Sequence, residues 1–247
     1  MANSIIVNVK TILFKLSPRL YFVLRETYDT AKLRLSGEIG RIITESGSLD
    51  SDDSVFDFAH QYIRPFQIKS EIIGLIEFFN KHQPGILLEV GTANGGTHFL
   101  IRRLCPSIRL SIAVDIDIRN CSLIDRITDT ESSHYIMGKS TSATTLDKVR
   151  KILGRQRKLD VLFLDGDHSY EGVKSDFLAY RGFVRPGGLI VFHDIVLDHG
   201  QRFGKKTESF TGGVPRFFED IKHDYQHYEF VENPEQDGYG IGVIVAA

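Results

Sequence analysis

The stretch GILLEVGTANGG, residues 85–96, decides the fold of this chain of 247 residues. A short apolar run leads into a turn that contains three glycines, and the segment 96–104 that follows has helical apolar spacing. A strand, a glycine turn and a helix in this order are typical of a parallel α/β sheet. Such sheets bind ligands at the carboxyl ends of their strands, so the turn is also the first candidate site.

The same alternation continues towards the C-terminus. Apolar runs predict further strands at 109–115, 133–138, 159–165, 189–194, 227–232 and 239–246, and helices at 68–82, 119–127, 143–153, 170–183 and 214–224. The short connection between the last two strands predicts an antiparallel hairpin at the sheet edge. The pattern therefore predicts a doubly wound, mostly parallel, seven-stranded Rossmann-like sheet with an antiparallel edge strand over residues 61–247.

Residues 1–60 are predicted to form a helical extension and linker outside the sheet. Residues 1–45 are predicted to be helical, and the polar stretch 46–54 is predicted to be a loop. The apolar residues of this extension can pack on the main domain, on a second subunit or on a membrane surface. A homodimer and a peripheral membrane contact are therefore both open.

Composition excludes several classes of protein. The net charge of -2 does not favour a nucleic-acid-binding domain, which is usually basic. Cys105 and Cys121 form neither a disulfide framework nor a CxxC metal pair. No apolar run approaches the roughly 20 residues of a membrane-spanning helix, and the start of the chain lacks the order of a signal peptide. We predict a cytoplasmic protein with no transmembrane segment and no nucleic-acid partner.

Two classes of ligand are compatible with the glycine turn. Gly91-x-Ala93-x-x-Gly96 is a degenerate match to the dinucleotide fingerprint, which would indicate an NAD-dependent oxidoreductase. Ala93 stands where that fingerprint has its second glycine, and Glu89 suits a cationic group better than a pyrophosphate. Asp115, at the end of the second strand, can accept both hydroxyls of a ribose in either class.

The segment from Glu89 to Gly95 consists of an acidic residue, one further residue, Gly, three residues and Gly. This segment resembles the first motif of class I S-adenosylmethionine-dependent methyltransferases. The resemblance implies that Glu89 faces the ammonium of S-adenosylmethionine, directly or through a water. It also implies that Ser140 borders the adenine. The implied cofactor-binding residues are Glu89, Gly91, Thr92, Ala93, Gly95, Asp115, Ile116, Ser140, Asp165 and Gln67.

A second group of polar residues ends the fourth and fifth strands, in VLFLDGDHSYEGVKSDF (161–177) and FHD (192–194). Adjacent parallel strands lie about 4.8 Å apart, so Asp165 and Asp194 can face one site. Two carboxylates and an imidazole can hold a hard or borderline divalent cation. The polar segment 197–213 is predicted to be a binding lid, with His199 as a candidate extra ligand.

The segments DGDHSYEGV (165–173) and GGVPRFF (212–218) resemble a methyltransferase group with macrocin- and mycinamicin-type sugar O-methyltransferases, rhamnosyl O-methyltransferases and cephalosporin-hydroxylase-like proteins. The resemblance implies that Asp165 and His168 are catalytic, with His168 as the general base. It also implies Mg²⁺, or another divalent cation, held by Asp165, His193 and Asp194. Two acidic residues are expected at 193–194, and His193 departs from that pattern, so the metal requirement is open.

These observations predict a methyltransferase that uses S-adenosylmethionine to methylate a hydroxyl on a sugar, a glycan or a glycosylated small molecule. Two alternatives are retained. One is the NAD-dependent oxidoreductase, which the spacing of the glycines favours. The other is a non-catalytic scaffold subunit with a methyltransferase fold, which the replacement at His193 favours.

Overall fold

The computed structural model describes residues 37–128 and 132–247, together with Leu24 and Thr27. Most of the predicted N-terminal helical extension, including the segment expected to contact a membrane or a second subunit, lies outside these residues. The helices are α1 (Glu38–Ser46), α2 (Asp52–Tyr62), α3 (Lys69–His82), α4 (Gly96–Leu104), α5 (Cys121–Ile127), α6 (Ala143–Leu153), α7 (Tyr170–Tyr180), α8 (His199–Phe203) and α9 (Val214–Lys222). None of these helices is long and apolar enough to cross a membrane.

Seven strands of the described part of the chain form one sheet. They are β1 (Ile86–Val90), β2 (Leu110–Asp115), β3 (Ser132–Met137), β4 (Leu159–Leu164), β5 (Val184–His193), β6 (His227–Phe230) and β7 (Ile241–Val245). Their order is β3-β2-β1-β4-β5-β7-β6, with β1 to β5 parallel and β7 antiparallel to both β5 and β6. The predicted fold is confirmed. The order reverses between β1 and β4, which is where such sheets bind ligands.

Apolar side chains cover both faces of the sheet. Leu87 and Leu88 are neighbours on β1, point to opposite faces and are both fully buried in different core clusters. Strands buried on both faces carry continuous apolar runs, which explains the composition of 85–90.

Helix α2 extends the domain upstream of the predicted boundary at residue 61. Ser51 and Ser54 form a reciprocal capping box that starts the helix inside the stretch predicted to be a loop. Val55, Phe58 and Ala59 are buried in the core cluster that also contains α3 and α4. The buried face of α2 therefore packs into the core of the sheet domain.

Several other boundaries differ from the prediction, and β5, for example, begins at Val184, five residues earlier than predicted. The last strand begins at Ile241, two residues later than predicted, because Tyr239 and Gly240 have φ angles of 61° and 82° and cannot continue a strand. The predicted polar loop 197–213 contains the short helix α8, which Asp198 caps by accepting from the backbone N–H of Gln201.

Candidate active site

A cavity of about 670 Å³ opens at the carboxyl ends of the parallel strands. The predicted site residues that line it are Gly91, Thr92, Ala93, Asp115, Ile116, Ser140, Asp165, His168, His193 and Asp194. The other three, Gln67, Glu89 and Gly95, are not among its lining residues. The switch point thus brings both predicted groups of residues to one cavity.

The glycine turn shapes the near wall of the cavity. Gly91 has a φ of 91°, and a Cβ there would overlap the backbone carbonyl of Asp165. Only glycine therefore fits where the turn passes the end of β4. Ala93 also has a positive φ, of 45°, and its N–H donates to Asp115 Oδ2 at 2.8 Å. This bond ties the turn to the end of β2.

The side of the cavity beyond β2 combines apolar and polar surface. Ile116 is 58% exposed, which is unusual for a large apolar side chain and indicates a face that a ligand can cover. The Ser140 hydroxyl donates to Asp176 Oδ1 at 2.5 Å. Since its proton is used in that bond, Ser140 presents a lone pair to the cavity and can accept from an amine.

Glu89 is buried behind the turn. Its Oε2 lies 2.8 Å from Nδ1 of His98, and its Oε1 has no hydrogen-bond partner. Burial and the charge of Asp165 raise the pKa of Glu89 well above its usual range. Gln67 is also mostly buried and donates from Nε2 to Asp165 Oδ2 at 3.3 Å. Both residues therefore lie beside the cavity without forming its surface.

Two acidic residues and two histidines meet at the ends of β4 and β5. The Nδ1 atom of His193 lies 3.1 Å from Asp165 Oδ1 and 3.5 Å from Asp194 Oδ1. The Nε2 atom of His168 lies 3.5 Å from Asp165 Oδ1, and its Nδ1 lies 3.1 Å from Asp194 Oδ2. We call Asp165, His168, His193 and Asp194 the acid–imidazole cluster.

The contacts within the acid–imidazole cluster shift the pKa values of its members. The hydrogen bond with Asp165 raises the pKa of His168 to about 9. Burial opposes the charged form of His193, but Asp165 and Asp194 outweigh it and raise its pKa to about 9. Burial alone would raise the pKa of Asp165, yet the two histidines lower it to about 2. Such a concentration of shifted pKa values in a cleft is typical of a functional site.

The orientation of His168 depends on the segment before α9. Its Nδ1 lies 2.7 Å from the carbonyl oxygen of Phe210, and the two rings are nearly parallel at 6.0 Å. A carbonyl accepts only, so Nδ1 carries a proton and donates it. In the neutral imidazole the lone pair is then on Nε2, the atom nearer Asp165.

Several lining residues were not predicted from the sequence. Phe210 is 72% exposed at the cavity, and Tyr239 packs edge-on against the ring of His193. Asp194, with a φ of 63°, and Tyr239 both have left-handed backbones, and strained residues of this kind cluster at functional sites. The length of 197–213 indicated a lid without marking Phe210, and no sequence signal marked Tyr239.

One predicted ligand lies elsewhere. His199 Nε2 is 3.0 Å from the carbonyl oxygen of Glu235, and its Nδ1 is 3.9 Å from Asp237. The group of side chains that can hold a metal in the described part of the chain comprises Asp165, His168 and Asp194, whose ligand atoms lie within 4.8 Å of one another. The suggestion of His199 as an extra ligand is therefore wrong, because its ring is held by the 233–238 turn.

The family model described as rhamnosyl O-methyltransferase/CmcI matches residues 55–235. The chain belongs to this family. Membership of the rhamnosyl O-methyltransferase/CmcI family confirms the resemblance stated from the two sequence motifs, and with it the prediction of a class I S-adenosylmethionine-dependent methyltransferase. The matched range begins within α2, in agreement with the packing of that helix in the domain core.

Two solved structures of O-methyltransferases share the fold of this chain. The O-methyltransferase from Bacillus cereus in complex with SAH superposes with a TM-score of 0.59 at 18% identity, over 81% of this chain and 94% of that one. TomG, the O-methyltransferase from Streptomyces achromogenes involved in tomaymycin synthesis, in complex with SAM, gives 0.54 at 16% identity, over 81% and 92%. A shorter match, 53% identical over 36 residues, is to the uncharacterized protein R132 of Acanthamoeba polyphaga mimivirus. It spans 15% of this chain and 16% of that protein.

Proposed function

We propose that this protein transfers the methyl group of S-adenosylmethionine to a hydroxyl oxygen of a sugar, a glycan or a glycosylated small molecule. One observation carries the proposal: a single cavity joins the glycine turn and Asp115 to an imidazole, that of His168, held beside two carboxylates. Membership of a family described by rhamnosyl O-methyltransferase supports a sugar hydroxyl as the acceptor.

The near side of the cavity fits the cofactor. In the described part of the chain five buried side-chain atoms lack a hydrogen-bond partner, and Glu89 Oε1, Thr92 Oγ1 and Gln67 Oε1 are three of them. Buried polar atoms are rarely left unpaired, so a ligand with several donors is expected near them. When bound, S-adenosylmethionine supplies a methyl group on a cationic sulfur. The chain's own part is to bind the ribose at Asp115 and to accept from the adenine amine at Ser140.

The far side fits proton removal. An alcohol is a poor nucleophile until its proton leaves, and general-base catalysis contributes roughly 10²–10⁴-fold. His168 lines the cavity, donates from Nδ1 to Phe210 and so presents Nε2 as the acceptor of that proton. Asp165 and Asp194 then lie beside an imidazolium and stabilise its charge.

A divalent cation is proposed as an addition to this scheme. Asp165 and Asp194 would supply its ligands, since carboxylate oxygens suit a hard divalent ion, and His168 Nε2 would stay available to accept the proton. Such an ion would lower the pKa of a hydroxyl that it binds. His193, the third predicted ligand, uses Nδ1 within the cluster and keeps an unpartnered, buried Nε2.

The proposal is tested by incubating the purified chain with methyl-labelled S-adenosylmethionine and a panel of rhamnosides and other glycosides. Parallel reactions contain a chelator, Mg²⁺ or Mn²⁺. We expect label in a glycoside product. Retention of NAD in place of S-adenosylmethionine would instead support the oxidoreductase, and cofactor binding without transfer to any acceptor would support the scaffold subunit. A homodimer, a membrane contact and a cytoplasmic location stay predictions.

A further inference from the structure

Three buried polar side chains form a chain behind the glycine turn. Glu89 lies on β1, His98 on α4 and Ser111 on β2, and none is more than 1% exposed. His98 Nδ1 is 2.8 Å from Glu89 Oε2, and His98 Nε2 is 3.2 Å from Ser111 Oγ. His98 does not line the cavity, and the proposed function gives it no role.

Burial decides the protonation state of His98. Burial lowers the pKa of His98 to about 3, so its imidazole is neutral at physiological pH. A neutral imidazole has one donor and one acceptor. With the Glu89 carboxylate ionised, Nδ1 carries the proton and donates it to Oε2, and Nε2 accepts the hydroxyl proton of Ser111.

The hydrogen bonds among Glu89, His98 and Ser111 use only one oxygen of the Glu89 carboxyl group. Glu89 Oε1 is buried and makes no well-formed hydrogen bond, and neither does Thr92 Oγ1, although this hydroxyl lies near enough to lower the pKa of the Glu89 carboxyl group. A carboxyl group buried only for stability would be expected to have both oxygens paired, because an unpaired buried acceptor costs about 1–3 kcal/mol. Because His98 holds Oε2, the other oxygen, Oε1, is kept in a fixed place where it can accept a hydrogen bond from a ligand.

We propose that His98 is a positioning residue that fixes the Glu89 carboxyl group so that Oε1 accepts from the ammonium of the bound cofactor, directly or through a water. The inference rests on the proposed function. Gly91, between Glu89 and Thr92, packs against the Asp165 backbone, and Gln67 donates to the Asp165 side chain. The unpartnered atoms thus belong to two segments that both contact Asp165.

The test compares two ligands by isothermal titration calorimetry. S-adenosylhomocysteine carries the ammonium, whereas 5′-methylthioadenosine lacks the whole amino-acid end. We expect His98→Leu to weaken binding of S-adenosylhomocysteine about tenfold and binding of 5′-methylthioadenosine less than twofold. His98→Asn, which keeps a donor for Glu89, should recover most of the loss. Equal weakening of the two ligands, or no weakening of either, would overturn the proposal.

A milder variant covers the case in which His98→Leu does not fold. Ser111→Ala removes the donor to Nε2 and leaves His98 in place, so we expect about threefold weaker binding of S-adenosylhomocysteine alone. The wild-type chain separates the two proposals. If it binds neither ligand, the proposed function fails; if it binds both and the variants lose both equally, only the positioning role fails.

Discussion

The two sides of the cavity are built differently. On the β1–β2 side the backbone sets the shape, through the left-handed conformations of Gly91 and Ala93 and the bond from Ala93 to Asp115. On the β4–β5 side ionisable side chains of the acid–imidazole cluster hold one another. The β1–β2 side offers a fixed shape and unpaired hydrogen-bond acceptors. The β4–β5 side offers charge and an exchangeable proton. Changes to the first should therefore alter cofactor binding, and changes to the second should alter the rate.

The largest effect is expected from His168→Gln. Glutamine can still donate towards the Phe210 carbonyl but cannot remove a proton, so methyl transfer should fall by about 10²–10⁴-fold. Binding of S-adenosylhomocysteine should stay within about twofold of wild type. Rates from labelled cofactor and affinities from calorimetry measure the two quantities. If the rate survived, His168 would not be the base and the division between the two sides would fail.

The dependence of the rate on pH should be the next largest effect. With a pKa of about 9, His168 is mostly protonated at pH 7 and cannot accept a proton. Because the neutral form is the active one, kcat/KM should rise about tenfold per pH unit and level off near pH 9, since this ratio reports the free enzyme. An NMR titration of the imidazole signals, with His168→Gln to assign the missing one, gives an independent measurement. A midpoint near the ordinary value of about 6.5 would show that Asp165 and Asp194 do not raise the pKa of His168.

A smaller effect, on binding, should follow from Gly91→Ala. The new Cβ would overlap the Asp165 carbonyl, and the turn would have to move, so affinity for S-adenosylhomocysteine should fall at least about tenfold. Gly204→Ala is the matched control, because Gly204 also has a positive φ, of 65°, but has no atom near its Cβ position. Both variants carry the left-handed strain of roughly 1–2 kcal/mol. Equal affinity in the two variants would show that the approach of the turn to Asp165 does not matter.

Motifs predicted the part of the site that is local in sequence. The sequence around Gly91 and the DGDHSY segment each place their residues within one turn at the end of one strand, so the sheet topology was enough to bring Asp115, Asp165 and His168 together. Glu89 shows the limit. Its position on β1 was clear, but its hydrogen-bond partner His98 lies on the next helix, and only packing reveals that contact.

Contacts between distant segments could not be predicted in this way. Phe210 reaches His168 across 42 residues, and Tyr239 reaches His193 from the turn before an antiparallel strand. Both depend on how loops return to the sheet edge, which apolar periodicity does not encode. Helix α2 was missed for a different reason, since its signal is a serine capping box within a stretch whose polar composition indicates a loop.

The bond between His168 and the backbone of Phe210 has a consequence for acceptor range. The same residue lines the cavity with its exposed side chain and holds the imidazole with its carbonyl. A loop that moved aside for a bulkier acceptor would release Nδ1 and leave the base in the wrong tautomer or direction. We therefore expect variation in acceptor size to arise by replacing the side chain at position 210, whose carbonyl stays in place, and not by lengthening the loop.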